Sequence, residues 1–276
     1  METVKKQSWK PAAAGALVAI ALNVAVFVTG LPSELGALSL VPLLILFWRL
    51  QRFSRVEMGF VRGSLAHYGL ALAYPLGVLG LMALLALLGG ALNLQNTDWP
   101  GEALRIATII LVTIVLGMLT EEGFFRGWLF AALQRAGQSP SAILFWSSLA
   151  FALWHIPVVI LAADFTVPLP RAAIYIANVA IAAVIFGLMR LISGSVVVAS
   201  VSHGFWNGLG YVLFGTGLQI GALGIQNTAL FSPESGLLGI IFNLAFLIAL
   251  WQWRRRATGR ARIAPIMHPE PGSQVA

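Results

Sequence analysis

The sequence predicts an all-α, polytopic transmembrane bundle of about eight spans. Its 276 residues are 59% hydrophobic and only 10% charged, and the mean hydropathy is +0.87. A soluble domain of this length needs more charged residues at its surface, so the composition excludes the soluble classes. The apolar runs are continuous for roughly 20 residues, which is the length of a helix that crosses a bilayer, whereas strands of an outer-membrane barrel alternate apolar and polar residues.

The apolar runs define the candidate spans. The first run follows three lysines, as the core of a signal peptide does, but its length and the later spans favour a retained helix. The second is short, and the third and fourth are longer than a bilayer requires, which predicts tilt or extension beyond the membrane. Only Ser193, Gly194 and Ser195 separate the sixth run from the seventh, so a count of seven stays open. In chain order, the runs cover residues 11–30, 35–50, 65–93, 104–130, 140–162, 171–191, 194–215 and 235–253.

The basic residues indicate the orientation of the bundle. If successive spans alternate in direction, 14 of the 17 Lys and Arg lie on one side. The other three are Arg105, Arg126 and Arg171. Because cytoplasmic loops are enriched in Lys and Arg, that side is predicted to be cytoplasmic, with both termini there. The opposite side is predicted to carry Arg105 and Arg171 together with five acidic residues. These are Glu34, Asp98, Glu102, Asp164 and Glu234.

Four segments divide the chain. They are the N-terminal membrane helices in 1–100, a core in 101–215, the last membrane helix in 216–253, and a basic tail, predicted to be disordered, in 254–276. The net charge of +7 is concentrated at the ends of spans, so it indicates a lipid bilayer and not nucleic acid as the partner. The absence of cysteine excludes disulfides and thiolate chemistry. The predicted location is the cell membrane, as a multi-pass protein.

Ionisable residues interrupt the fourth apolar run. Glu121, Glu122 and Arg126 lie where a membrane helix is predicted, and charged groups at that depth are costly enough to indicate a functional site. Glu122 and Arg126 are i,i+4 neighbours on a helix and can pair, whereas Glu121 lies about 100° around the axis from Glu122. We therefore predict a structural ion pair between Glu122 and Arg126 that leaves Glu121 free to act as a base. The alternative is that all three line a helix end at the cytoplasmic interface.

Two later runs each carry a histidine. His155 lies four residues after Phe151, and Pro157 is expected to free a backbone carbonyl that orients the imidazole. His203 and Asn207 are i,i+4 neighbours on one helix face, where both could donate hydrogen bonds to an oxyanion. Taken alone, each pattern is also typical of an ordinary buried histidine or of a polar contact between helices.

The three polar clusters favour one shared site. Each would be costly against lipid, so all should face the interior of the bundle. Gly204 and Gly208, beside the third cluster, allow close helix approach. A carboxylate base, two imidazoles and a carboxamide are the groups needed to add water to an amide. The alternatives are ion-coupled transport, haem ligation by His155 and His203, and a catalytically inactive scaffold or immunity protein. Counted along straight helices, Glu121 and the two histidines lie at unequal depths.

The motifs resemble those of the CAAX protease and bacteriocin-processing (CPBP) family, which includes the Ras-converting CAAX prenyl endopeptidase of eukaryotes. The resemblance covers roughly residues 100–215 and makes this segment the catalytic core. It implies an intramembrane endopeptidase that hydrolyses a membrane-bound protein or peptide, lipidated or not, with the glutamate–arginine pair supporting the site. In chain order, the motifs are Glu121-Glu122-x-x-x-Arg126, Phe151-x-x-x-His155 and His203-x-x-x-Asn207.

The resemblance also implies roles for single residues. Glu121 with His155 would activate the attacking water, and His203 with Asn207 would stabilise the oxyanion. Members are commonly called metalloproteases, yet a metal-free glutamate mechanism has also been argued for the family. The sequence has no His-Glu-x-x-His pair, and asparagine is a poor zinc ligand. We expect either no metal or one divalent ion such as zinc, held by Glu121, His155 and His203.

Overall fold

The computed structural model describes residues 8–95, 97–161 and 167–263, and only the backbone of residues 257–263. Over these ranges all regular structure is helical, and no β-strand occurs. The predicted all-α fold is therefore confirmed. Asp164 and residues 264–276, for which predictions were made from the sequence, lie outside the described ranges.

Twelve α-helices and two π-helical segments make up the described structure. The α-helices are α1 (Lys10–Val28), α2 (Glu34–Leu38), α3 (Leu40–Gln51), α4 (Arg55–Met58), α5 (Leu65–Leu88), α6 (Trp99–Leu119), α7 (Leu129–Arg135), α8 (Pro140–Leu161), α9 (Leu169–Ser193), α10 (Val196–Leu209), α11 (Thr228–Phe231) and α12 (Leu237–Ile263). The π-helical segments are π1 (Glu122–Trp128), between α6 and α7, and π2 (Gly210–Phe214), directly after α10.

Seven helical stretches of the described chain are long and apolar enough to cross a membrane. The remaining predicted run, 194–215, folds as the 14-residue α10 followed by the five-residue π2. Neither part alone has the length of a span. The count is therefore seven by helix length and eight when α10 and π2 are taken together. The seven stretches are α1, α2 with α3, α5, α6, α8, α9 and α12 as far as Arg256.

The fourth predicted run, 104–130, is not one continuous helix. α6 ends at Leu119, and Thr120 has backbone angles φ −107° and ψ −100°, outside the helical region. π1 begins two residues later, and all seven of its residues are buried. π-helical turns are rare and are frequent at functional sites. Depths counted along a straight fourth helix do not apply, because the helix breaks beside the two glutamates.

α10 packs directly against α6 through two glycines. A Cβ atom at Gly204 would lie 2.6 Å from Ile114 Cγ1 and 2.8 Å from the carbonyl oxygen of Ile110. A Cβ atom at Gly208 would lie 3.0 Å from the carbonyl oxygen of Ile106. Small residues four positions apart permit such close helix contacts in membranes. The predicted role of these glycines in helix approach is confirmed.

The last helix is longer than the predicted eighth span. α12 runs without a break from Leu237 to Ile263, whereas the sequence predicts the end of the span at residue 253. The first ten residues of the predicted disordered tail are therefore helical. Arg and Ala, which are good helix formers, make up most of this extension.

Candidate active site

A buried ion pair occupies π1. Arg126 Nη1 lies 3.2 Å from Glu122 Oε1, and both side chains are fully buried. Arg126 Nη2 donates to the carbonyl oxygen of Ala183 at 3.2 Å, and the guanidinium lies 4.0 Å from the ring centroid of Phe151. Buried charges need this combination of a counter-charge and further partners. The ion pair predicted from the i,i+4 spacing is confirmed, and it lies inside the bundle.

His203 binds the same carboxylate. Its Nδ1 lies 3.1 Å from Glu122 Oε1, and its ring stacks on Phe186 with centroids 5.0 Å apart. Because an ionised carboxylate can only accept, we assign a proton to Nδ1. The other nitrogen, Nε2, is then available to bind groups in the interior of the bundle. Sequence spacing predicted only the Arg126 contact of Glu122, since Glu122 and His203 are 81 residues apart.

His155 faces Glu121. Its Nδ1 lies 2.9 Å from the carbonyl oxygen of Phe151, an acceptor that assigns a proton to Nδ1. Its Nε2 lies 3.7 Å from Glu121 Oε2, which is too long for a direct hydrogen bond and suits a shared water. Glu121 Oε2 is buried and has no hydrogen-bond partner among the described residues. The two groups therefore face each other without a direct hydrogen bond.

The carbonyl that orients His155 is not the one that was expected. Pro157 lacks an N–H and so leaves the carbonyl of Leu153, four residues earlier, without its helical donor. The imidazole instead binds the carbonyl of Phe151, and α8 continues through Pro157 to Leu161. The expected effect of Pro157 on the imidazole is therefore wrong.

A small cavity joins the second and third motifs. His155, His203 and Asn207 all line it, and its volume is about 40 Å³, enough for one to a few waters. Asn207 is partly exposed and makes no side-chain hydrogen bond within the described chain. Its amide is therefore free to donate into the cavity. Glu121 is not part of the lining and meets the cavity through His155.

The cavity has a second polar wall that the sequence argument missed. Tyr74 donates to Asn243 Oδ1 at 3.0 Å, and Asn243 Nδ2 donates to Asn178 Oδ1 at 3.0 Å. Asn178 Nδ2 then donates to the carbonyl oxygen of Glu234 at 2.8 Å. Asn178, Asn243 and Glu234 all line the cavity, with Tyr211 beside them. The rarity of polar residues in apolar runs, which singled out His203, would also have found Asn178 and Asn243.

The arrangement of the expected metal ligands does not form a metal site. Over the described ranges, no three His, Cys, Asp or Glu side chains are close enough together to hold an ion. Glu121 and His155 face each other, and His203 binds Glu122 through Nδ1 and leaves Nε2 at the cavity. The chemistry proposed below uses these side chains alone.

One family model matches the centre of the chain. Residues 103–209 match the model described as type II CAAX prenyl endopeptidase Rce1-like. This segment belongs to the Rce1-like family. Searches against curated proteins and against solved structures give no match. The resemblance inferred from the motifs is thus confirmed for this segment, and the apolar helices make the chain a multi-pass integral membrane protein.

The Rce1-like segment begins in α6 and ends with the last residue of α10. It contains every motif residue identified from the sequence. Glu234 and Asn243, which line the second wall of the cavity, lie outside it, as does Tyr74, which binds Asn243. The family match therefore accounts for one wall and leaves the other to be explained by this chain alone.

Proposed function

We propose that the protein is an intramembrane endopeptidase that hydrolyses a membrane-associated substrate by adding activated water to a peptide bond. The observation that carries this proposal is the pairing of Glu121 with His155 at 3.7 Å, next to the cavity that His203 and Asn207 line. The match of residues 103–209 to the Rce1-like family supports it, because that family is one of peptidases. A polytopic bundle gives such a site access to substrates held in the bilayer.

Water activation falls to Glu121 and His155. With Nδ1 of His155 committed to the Phe151 carbonyl, its Nε2 presents a lone pair toward Glu121 Oε2. A water between them would be held by two acceptors and would lose a proton to Glu121 as its oxygen attacks the substrate carbonyl. General-base catalysis of this kind contributes about 10²–10⁴-fold to the rate. No covalent enzyme intermediate forms.

Oxyanion stabilisation falls to His203 and Asn207. Asn207 offers its amide N–H groups to the cavity, and His203 offers Nε2. When the His203 ring carries two protons, Nδ1–H donates to Glu122 and Nε2–H donates to the developing oxyanion. Glu122 balances the charge on the ring. Donors held in place before the reaction are usually the largest single contribution to such catalysis.

The proposed substrate is a lipidated protein or peptide with a CAAX-type end. The family description names prenyl endopeptidases, and a lipid anchor would bring the scissile bond to a site inside the bundle. The cavity of about 40 Å³ is too small for a peptide, so the surrounding helices must separate when substrate binds. The proposal includes prenylation of the natural substrate near the bond that is cleaved.

The test compares the wild type with Glu121→Gln in liposomes, using an internally quenched, farnesylated peptide that ends in a CAAX sequence. We expect Glu121→Gln to lower turnover by about 10²–10⁴-fold, because the base that takes the proton of water is removed. Glu102→Gln is the matched control, since Glu102 pairs only with Arg105 on α6, away from the cavity. Full turnover by the Glu121→Gln protein would refute the proposal.

A further inference from the structure

Glu234 brings a third carboxylate to the cavity. The residue lies in the loop between α11 and α12, and it lines the same cavity as His155, His203 and Asn207. The sequence places it in a loop on the side opposite the basic termini, far from the motifs. It lies outside the Rce1-like segment, and the chemistry proposed above does not use it.

The loop around Glu234 is firmly anchored. Asn178 Nδ2 donates to its carbonyl oxygen at 2.8 Å. The next residue, Ser235, accepts a hydrogen bond from Arg171 Nη2 at 2.8 Å, and its N–H donates to Ser232 Oγ at 3.2 Å. Arg171 therefore binds the loop and not the carboxylate. These contacts from α9 hold the Glu234 side chain at one place in the cavity wall.

The Glu234 carboxylate has no ion-pair partner within 4 Å among the described residues. Every other carboxylate at the site faces an Arg or His nitrogen. Burial raises its pKa to about 7, although hydrogen bonds from the Tyr211 hydroxyl and the Trp206 indole act in the opposite direction. A carboxyl group in this state can be either a proton donor or an acceptor near neutral pH.

The titratable groups around Glu234 are less suited than Glu234 to donate a proton. The Glu234 charge acts on three phenols, those of Tyr211 in π2, Tyr175 in α9 and Tyr74 in α5. The charge of His203 in α10 acts to lower the pKa of Glu234. Nδ1 of His203 is hydrogen-bonded to Glu122. The phenols are weak acids, so Glu234 is the group in this wall best suited to release a proton.

Resting on the proposed function, we propose that Glu234 is a further catalytic residue, the acid that protonates the leaving amine. Water adds to the substrate carbonyl carbon and gives one proton to Glu121. The C–N bond then breaks, its electron pair stays on nitrogen, and nitrogen takes the proton of Glu234. The products are a carboxyl terminus and an amine. The proton on Glu121 later returns to Glu234 through the water of the cavity, and the enzyme is restored.

Two carboxyl groups divide the proton transfers because the site separates them. Glu121 lies beside His155, outside the cavity lining, whereas Glu234 is part of the lining. A peptide bond across the cavity would present its carbonyl carbon to the first and its nitrogen to the second. Groups whose environments differ in this way are typically assigned separate acid and base roles.

The test uses two matched substrates for the wild type and Glu234→Gln. The first is the quenched, farnesylated CAAX peptide, and the second is its depsipeptide, in which an ester oxygen replaces the scissile N–H. An alkoxide-type leaving group depends much less on protonation than an amine does. We expect Glu234→Gln to lower amide turnover by about 10²–10⁴-fold and ester turnover by only a few-fold, and to remove the basic limb of the pH profile for the amide.

The outcomes separate this inference from the proposed function. Equal losses for amide and ester, or an unchanged amide rate, would overturn the role of Glu234 while the Glu121→Gln result stands independently. If the wild type cleaves neither substrate, or if Glu121→Gln keeps full activity, the proposed function fails first. Glu102→Gln serves again as the control for a carboxylate away from the cavity. The thermal unfolding midpoint of Glu234→Gln shows whether the loop remains folded.

Discussion

At the scale of single residues, one oxygen atom organises the centre of the site. Glu122 Oε1 accepts from both Arg126 at 3.2 Å and His203 at 3.1 Å. Glu122 Oε2 has no hydrogen-bond partner within the described chain. Glu122 therefore both neutralises Arg126 and sets the orientation of His203. Glu122 contacts Arg126, four residues along the chain, and His203 on another helix, and the sequence predicted only the first contact.

Arg126→Met should destabilise the fold strongly, because it leaves the Glu122 charge buried without its counter-charge. We expect a loss of about 3–5 kcal/mol, measured as a lowered unfolding midpoint in detergent. Arg105→Met is the matched control, since the Arg105–Glu102 pair is exposed and worth about 0–1 kcal/mol. Removing both charges, with Glu122→Gln added, should restore part of the loss. Equal effects of the two single variants would contradict this account.

Glu57 gives a pH dependence outside the membrane spans. Burial raises its pKa, but the backbone N–H of Ser54, 2.8 Å away, and Arg135 outweigh this effect, so the pKa lies below its usual value. The folded protein thus binds this proton less readily than the unfolded chain does. The contribution of Glu57 to stability is present above the ordinary carboxyl pKa and is lost as the pH falls through the lowered one.

Glu57→Gln should therefore reduce stability at neutral pH, and the difference from the wild type should vanish under acid conditions. The measurement is the unfolding midpoint of both proteins across pH 3 to 8, a range chosen to bracket the carboxyl pKa values, roughly 3 to 5. Glu34→Gln is the control, because Glu34 makes no ion pair within the described chain. A difference that persists unchanged at the acid end would show that Glu57 acts by another route.

At the scale of helices, the contact between α6 and α10 holds the third motif in place. Gly204 follows His203 directly, and Gly208 follows Asn207. Both glycines bring the α10 backbone against α6, so that an added Cβ would lie 2.8 and 3.0 Å from the carbonyl oxygens of Ile110 and Ile106. His203 and Asn207 can then face the cavity, because the glycines that follow them pack against α6 and carry no side chains.

Gly204→Ala should push α10 away from α6, because the new Cβ would meet Ile114 Cγ1 at 2.6 Å. Overpacking of this kind costs about 1–3 kcal/mol, and peptide cleavage should fall as His203 and Asn207 are displaced. Gly80→Ala in α5 is the matched control, since its Cβ meets nothing within 4 Å and alanine favours a helix by about 1 kcal/mol. The unfolding midpoint and the cleavage rate of both variants test this, and an unaltered Gly204→Ala protein would contradict it.

At the scale of the whole molecule, a chain of hydrogen bonds joins distant parts of the fold. Tyr74 of α5, Asn243 of α12 and Asn178 of α9 connect in series to the loop that carries Glu234. Tyr74 also stacks on Trp206 of α10, with ring centroids 4.9 Å apart. The cavity is therefore lined in part by residues that follow the Rce1-like segment, and Tyr74, which precedes that segment, supports this wall through Asn243.

The predicted orientation can be measured cleanly, because the chain has no cysteine. Ser8→Cys and Gln226→Cys each add one thiol at an exposed position. With both termini cytoplasmic, a membrane-impermeant maleimide should label Gln226→Cys in intact cells and Ser8→Cys only after the membrane is opened. The reverse pattern would invert the orientation derived from the basic residues.

We expect the proposed peptidase activity to be independent of metal. The described side chains form no three-residue ligand group, and the proposed chemistry needs only carboxylates, imidazoles and an amide. Treatment with EDTA and 1,10-phenanthroline should leave cleavage of the farnesylated peptide unchanged. Loss of cleavage that added zinc restores would instead assign Glu121, His155 and His203 as ligands in a rearranged site.

The sequence by itself determined the all-helical membrane fold, the Glu122–Arg126 pair and the family of residues 103–209. Composition, hydropathy and i,i+4 spacing are local properties, so they can be read along the chain. Only the tertiary structure decided that Glu122 binds His203, that the fourth span breaks at Thr120 and that Glu234 reaches the cavity. These depend on which helices meet in the folded bundle, and contacts such as Glu122–His203, 81 positions apart, leave no periodic pattern in the sequence.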